Sequence, residues 1–170
     1  MTTTPMQTRI VAMGVAGCGK TVVGTLLAAE LGYRFVDADD LHPAANVAKM
    51  AGGTPLDDDD RWPWLDTVSS TLAESPGIVV ACSALKRAHR DRLRASAGDI
   101  TFVHLVGSQQ LLARRMASRS EHFMPTSLLD SQLRTLEPLD ASEQGAEVDV
   151  TPSPPILVKE ILKTLGGVHG

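Results

Sequence analysis

The run Gly14-Val15-Ala16-Gly17-Cys18-Gly19-Lys20-Thr21 sets glycines, a lysine and a hydroxyl at the spacing G-x-x-x-x-G-K-[ST]. Glycines let the backbone turn tightly and aim successive N–H groups at an anion. The Lys20 ammonium can span two phosphate oxygens, and the Thr21 hydroxyl can coordinate a divalent cation. This is chemistry for a nucleoside triphosphate, ATP or GTP, with Mg²⁺. The flanking residues supply the elements such a loop needs. Ile10 to Met13 reads as a buried strand, and Val22, Val23, Leu26, Leu27 and Leu31 form an apolar helical stripe that stops at Gly32.

Further acidic and basic groups follow at regular intervals. Asp37 and Asp39 lie on one side of an extended backbone, where one carboxylate can hold Mg²⁺ through water and the other can orient or deprotonate an attacking hydroxyl. Turn chemistry is the competing account, and Asp40 fits it as a helix N-cap. His42, ahead of Pro43, is by type a structural residue. The run Asp57-Asp58-Asp59-Asp60 suits the first turn of a helix, where the macrodipole favours carboxylates and Pro63 is tolerated. Arg61 is either salt-bridged within that run or held rigid to clamp an anionic substrate. Lys86 and Arg87 sit at a helix start, which opposes the macrodipole unless an anion is near. Arg114, Arg115 and Arg119, followed by Glu121-His122-Phe123-Met124-Pro125, read as an ordinary basic helix face or as a mobile lid over the triphosphate, spanning about residues 115–128.

Apolar strands alternate with helical patterns around these groups. Strands are expected at Arg34 to Asp37, Gly77 to Cys82, Ile100 to Leu105 and, weakly, Glu147 to Val150. Helices are expected at Pro43 to Met50, Arg61 to Leu72, Lys86 to Ala95, Gln109 to Ala117, Ser127 to Leu136 and Pro155 to Leu165. Such alternation makes a parallel sheet covered on both faces, with ligands at the carboxyl ends of the strands. The 170 residues make one domain, 1–170, and a net charge of −4 without a long basic stripe argues against nucleic acid. Cys18 and Cys82 lie far apart without metal spacing, and no apolar run reaches membrane-spanning length. A soluble cytoplasmic protein with a small-molecule partner and no membrane contact is expected.

In combination, MGVAGCGKT at Met13 to Thr21, DADDLHP at Asp37 to Pro43, NVAKMAGGTPLDDDDRWPWL at Asn46 to Leu65, CSALKRAHRDRLR at Cys82 to Arg94, HFM at His122 to Met124 and LLDSQLRTLE at Leu128 to Glu137 resemble the gluconokinases, small P-loop sugar-acid kinases. The resemblance implies a P-loop NTPase fold of the nucleoside monophosphate kinase type, a three-layer α/β/α sandwich with a central five-stranded parallel sheet and a helical lid. It also implies transfer of the ATP γ-phosphate to the 6-hydroxyl of D-gluconate with Mg²⁺, by a homodimer. Gly14, Val15, Ala16, Gly17, Cys18, Gly19, Lys20 and Thr21 would then hold the phosphates, with Thr21 and, through water, Asp37 on the metal. Lys20, Asp39 and Arg119 would be catalytic. Asp39, His42, Arg61, Lys86, Arg90 and His122 would meet the substrate, and Arg115 with Arg119 the nucleotide. Departures from the family pattern are Ala16 and Cys18 in place of Ser, Asp57 in place of Asn, and Glu121 in place of the Gly before the lid histidine. The residues alone stop at a small-molecule kinase with an anionic acceptor. A kinase of the same architecture acting on shikimate or a nucleotide remains open, as does a nucleotide-dependent switch. The switch lacks support from the N-K-x-D base-reading motif of GTPases, which this chain does not contain.

Overall fold

The computed structural model describes residues 8–117 and 126–168. Its first strand, β1 (Arg9–Met13), runs into the glycine loop and then α1 (Lys20–Leu31). Next come β2 (Arg34–Asp37), a 3₁₀ turn (Ala38–Leu41), α2 (Ala44–Ala51), α3 (Asp58–Glu74), β3 (Ile78–Ala81) and α4 (Arg87–Ala97). The chain continues through β4 (Thr101–Val106), α5 (Gln109–Ala117), α6 (Thr126–Thr135), β5 (Gly145–Asp149) and α7 (Pro154–Val168).

All five strands are parallel, in the order β2-β3-β1-β4-β5. The central strands are apolar on both faces because helices cover both, as Ile10 in one core and its neighbour Val11 in the other illustrate. One face packs Leu27 of α1 and Leu157 and Ile161 of α7 against Val79, Val103 and Leu105. The other packs Leu65, Val68 and Leu72 of α3 and Leu93 of α4 against Val11, Val80 and Phe102. The expected three-layer sandwich with a five-stranded parallel sheet is what the chain forms. Among the described residues no helix is long and apolar enough to cross a membrane.

Three local expectations need correction. In α1 only part of the apolar stripe turns inward: Val23 and Leu27 are buried, whereas Val22 and Leu26 are 44% and 36% exposed. Gly24 and Ala28 complete the inward face, and their small size brings the helix close enough for Gly24 to meet the Phe35 ring. Asp40 caps no helix. It lies inside the 3₁₀ turn, which Asp37 caps instead, and Pro43 precedes α2. α3 begins at Asp58 rather than Arg61, because Asp57 and Asp60 form a reciprocal capping box, and Pro63 therefore falls in the second turn.

Candidate active site

The loop between β1 and α1 is held at the carboxyl rim of the sheet by close backbone approach. A Cβ at Gly14, where φ is +151°, would lie 2.8 Å from the Leu105 carbonyl oxygen, and one at Gly17, where φ is +83°, 2.8 Å from that of Leu112. The Gly14 N–H reaches the Ser83 carbonyl at 3.4 Å, tying the loop to the end of β3. Lys20 folds back over the loop and donates from Nζ to the Val15 carbonyl at 3.2 Å. The first turn of α1 leaves its amides without intrahelical acceptors and directs its positive end at the loop.

Asp37, at the end of β2, joins two elements. Its Oδ2 accepts from the Thr21 hydroxyl at 2.8 Å and its Oδ1 from the Asp39 N–H at 2.9 Å. Turn chemistry and a place beside the loop are therefore both true of Asp37. No group of three or more metal-binding side chains occurs among the described residues. A hydroxyl next to one carboxylate suits Mg²⁺, which keeps several waters and completes its octahedron with substrate phosphate oxygens.

Beside the loop a cleft opens to solvent. Ala16 and Lys20 form one wall, and Asp39, His42, Arg61 and Trp64 another. Ser131, Gln132 and Thr135 form a third, with Met50, Pro55 and Leu56 as apolar lining. His42 stacks on Trp64, ring centroids 4.1 Å apart, and Trp64 donates from Nε1 to the Ala38 carbonyl at 2.7 Å, which fixes the 3₁₀ turn. Asn46 Nδ2 donates to the Asp60 carbonyl and sits 3.2 Å from His42 Nδ1. His42 Nδ1 is thus the acceptor, and the ring proton resides on Nε2, 3.9 Å from the Asp39 carboxylate. Burial, aided by the Arg61 charge and opposed by Asp37, brings the His42 pKa down to about 4, so the ring is neutral at pH 7.

Arg61 is salt-bridged within the aspartate run and also faces the cleft. Its side chain is 14% exposed and lies 3.6 Å from Asp58 Oδ1, yet it lines the cleft. Burial pulls its pKa down while Asp58, Asp57 and Asp60 oppose that effect, and a guanidinium keeps its charge in such surroundings.

The cations on α4 behave differently from expectation. Lys86 donates to Asp58 Oδ2 at 3.0 Å and does not line the cleft. His89 accepts the Lys86 N–H at Nδ1 and so donates from Nε2 to Asp58 Oδ1 at 3.0 Å. Arg87 pairs with Asp91, and its N–H reaches Glu137 Oε1. The anions implied by a basic helix start are thus carboxylates of the protein itself. Arg90 is a correction: it is 0% exposed, with Nε 2.6 Å and Nη2 3.0 Å from the Glu143 carboxylate and Nη1 on the Ala84 carbonyl. A guanidinium sealed in that way cannot meet a substrate carboxylate. Arg115 donates to the Val150 carbonyl at 2.7 Å, just past β5, and does not line the cleft. Arg119 and His122 lie outside the described residues.

Trp64 and Gln132 escaped the reading of the sequence. Gln132 Oε1 accepts the Ala16 N–H at 2.6 Å. The available signal was a polar face, Ser131, Gln132 and Thr135, on a helix whose other face carries Leu129 and Leu133.

The model of the AAA domain family matches residues 10–139. A probable gluconokinase of Xenopus tropicalis is 46% identical, with 89% of this chain and 90% of that protein covered. A gluconokinase of Gluconobacter oxydans is 45% identical over 91% of this chain and 89% of its own length. The crystal structure of a gluconokinase from Sinorhizobium meliloti superposes with a TM-score of 0.89 at 48% identity, covering 96% of this chain and 94% of that one. Near-complete coverage at such identity, on a fold that brings Lys20 of the loop, Asp39 and the half-buried Arg61 to one cleft, makes this chain a member of the gluconokinase family.

Proposed function

We infer that the chain transfers the γ-phosphoryl group of ATP to the 6-hydroxyl of D-gluconate, giving 6-phospho-D-gluconate and ADP. The observation that carries this is the composition of the cleft: Lys20 and the phosphate loop form one wall, while Asp39 and Arg61 face the same space from another. Phosphoryl transfer is mostly positioning plus electrostatic stabilisation, and these walls divide the two tasks. The loop amides and Lys20 hold the β- and γ-phosphates. Thr21 and Asp37 are the residues that would hold Mg²⁺, which supplies charge neutralisation across the phosphates when bound. Asp39, whose side chain is exposed to the cleft, accepts the proton of the attacking hydroxyl. Neutral His42 presents its Nε2–H to the same cleft, 3.9 Å from the Asp39 carboxylate. Arg61, stiffened by Asp58, attracts the sugar-acid carboxylate.

Arg119 and His122 as lid residues, Arg115 toward the nucleotide, and a homodimeric assembly enter on the family resemblance. The same holds for a single kinase domain with its lid at about residues 115–128.

The deciding experiment is ADP release by the purified protein with Mg²⁺-ATP and a panel of sugar acids, shikimate and nucleoside monophosphates. Gluconate is expected to stimulate ADP release far above the others. Release no higher than background hydrolysis with every polyol acid would overturn the assignment.

A further inference from the structure

We propose that Gln132 is an acceptor-binding residue that joins the sugar-acid site to the phosphate loop. Its amide oxygen anchors the Ala16 N–H, and its amide NH₂ donates to a hydroxyl of the bound polyol. Substrate class is taken from the preceding subsection; the role of Gln132 comes from its own geometry.

A backbone N–H can only donate, so the side-chain atom 2.6 Å from the Ala16 nitrogen is necessarily the oxygen Oε1. The amide is planar, and fixing its oxygen on the loop sends Nε2 to the other side. Gln132 is half-buried and lines the cleft that Asp39 and Arg61 face. Thr135, one turn further along α6, donates its hydroxyl to the Ser131 carbonyl at 2.9 Å, which leaves the Thr135 oxygen as an acceptor on the same wall. This wall therefore offers one neutral donor and one neutral acceptor. A hydroxyl of a polyol, itself both donor and acceptor, requires that pair.

Charge explains why an amide serves here. A carboxylate at this position would face the γ-phosphate across the loop, and an ammonium would compete with Lys20 for it. Only a neutral side chain can touch loop and acceptor together without redirecting the phosphates. The platform is rigid: Leu129 is buried in the core beneath α6, and Gln109 of α5 donates to Asp130 at 2.7 Å. Because the same amide meets the nucleotide loop and the polyol, it also fixes their separation, on which in-line transfer depends.

Steady-state kinetics and Mg²⁺-ADP calorimetry on the full chain test this with Gln132→Met, which keeps the shape and loses both polar atoms, and Gln132→Glu, which keeps an acceptor for Ala16 and loses the donor. Both variants should raise the KM for gluconate about tenfold or more, with Mg²⁺-ADP affinity within about threefold. Gln132→Glu, which keeps the acceptor for Ala16, should melt close to wild type, and Gln132→Met, which leaves the Ala16 N–H without it, a few degrees lower. Among mono-deoxygluconates, one should lose about the same factor with the wild type and nothing further with Gln132→Met. Unchanged gluconate KM in both variants overturns the proposal, as do equal losses of nucleotide and acceptor affinity or deoxy-substrate penalties that simply multiply with that of the variant. A wild type that phosphorylates a different acceptor refutes the substrate assignment alone, and the KM split is then read on that acceptor. A wild type that phosphorylates none refutes both.

Discussion

Asp39 and Arg90 are both charged residues near strand ends, and the sequence treats them alike, yet the fold gives them opposite fates. Asp39 stays beside the cleft because its own backbone N–H is tied to Asp37, two residues away. Its carboxylate can be changed without disturbing that cap. Asp39→Asn should therefore leave Mg²⁺-ATP affinity within a few-fold and lower kcat by about 10²–10⁴, the usual range for loss of a general base. Stopped-flow or calorimetric nucleotide binding beside turnover separates the two quantities, and equal losses in both would assign Asp39 to the metal or to the fold. The phosphate loop, Asp37 and Asp39 were legible in the sequence because their geometry is set within a few residues. Arg90 was not, since its partner Glu143 lies 53 residues away. No spacing rule announces a buried pair at that separation.

At the scale of the element, α3 shows how a charge run read as helix chemistry also builds the site. Asp57 Oδ1 accepts the Asp60 N–H at 2.8 Å, and Asp60 Oδ2 accepts the Asp57 N–H at 3.0 Å. This box winds the first turn that carries Arg61 to the cleft and lets Asp58 gather Arg61, Lys86 and His89. Asp57→Ala should cost about 1 kcal/mol. In a chain of this size that lowers the melting temperature by roughly 2–4 °C. Fraying of the turn should also raise the KM for gluconate, whereas Asp57→Asn, an equally good cap, should preserve both properties. Calorimetry and acceptor kinetics on the two variants check this. The strands were legible to within about two residues because an apolar run bounded by turn residues has few alternatives. The inward face of α1 was misread for a packing reason, since side-chain apolarity alone favoured Val22 and Leu26 over the smaller Gly24 and Ala28 that face the sheet.

For the molecule as a whole, alternation of strand and helix dictated a parallel sheet but not its order, because the order depends on which crossovers skip a neighbour. With β1 between β3 and β4, the phosphate loop emerges at the middle of the rim. The chain between α6 and β5 passes α4, where Glu137 accepts the Arg87 N–H and Glu143 meets Arg90. Arg90 and Glu143 fasten that passage. Burial pushes the Glu143 carboxyl up, but hydrogen bonds from Arg90, the Asp140 N–H and Arg94 outweigh it and bring the pKa down to about 2. A carboxylate with a folded pKa below its ordinary 4.5 contributes stability that is fully present above about pH 4.5 and is lost as pH falls toward 2. Wild-type melting temperature should fall across this window, and Glu143→Gln should flatten that fall. The same variant leaves a buried guanidinium without its anion and should lose about 3–5 kcal/mol at neutral pH. Replacing both partners, Arg90→Met with Glu143→Leu, should restore much of that loss, because no uncompensated charge remains in the interior. The double variant also decides what Arg90 is for. As a structural fastener it can be removed with its partner while the KM for gluconate stays within about threefold of wild type, whereas a tenfold rise in a protein that still melts cooperatively would return Arg90 to the substrate site.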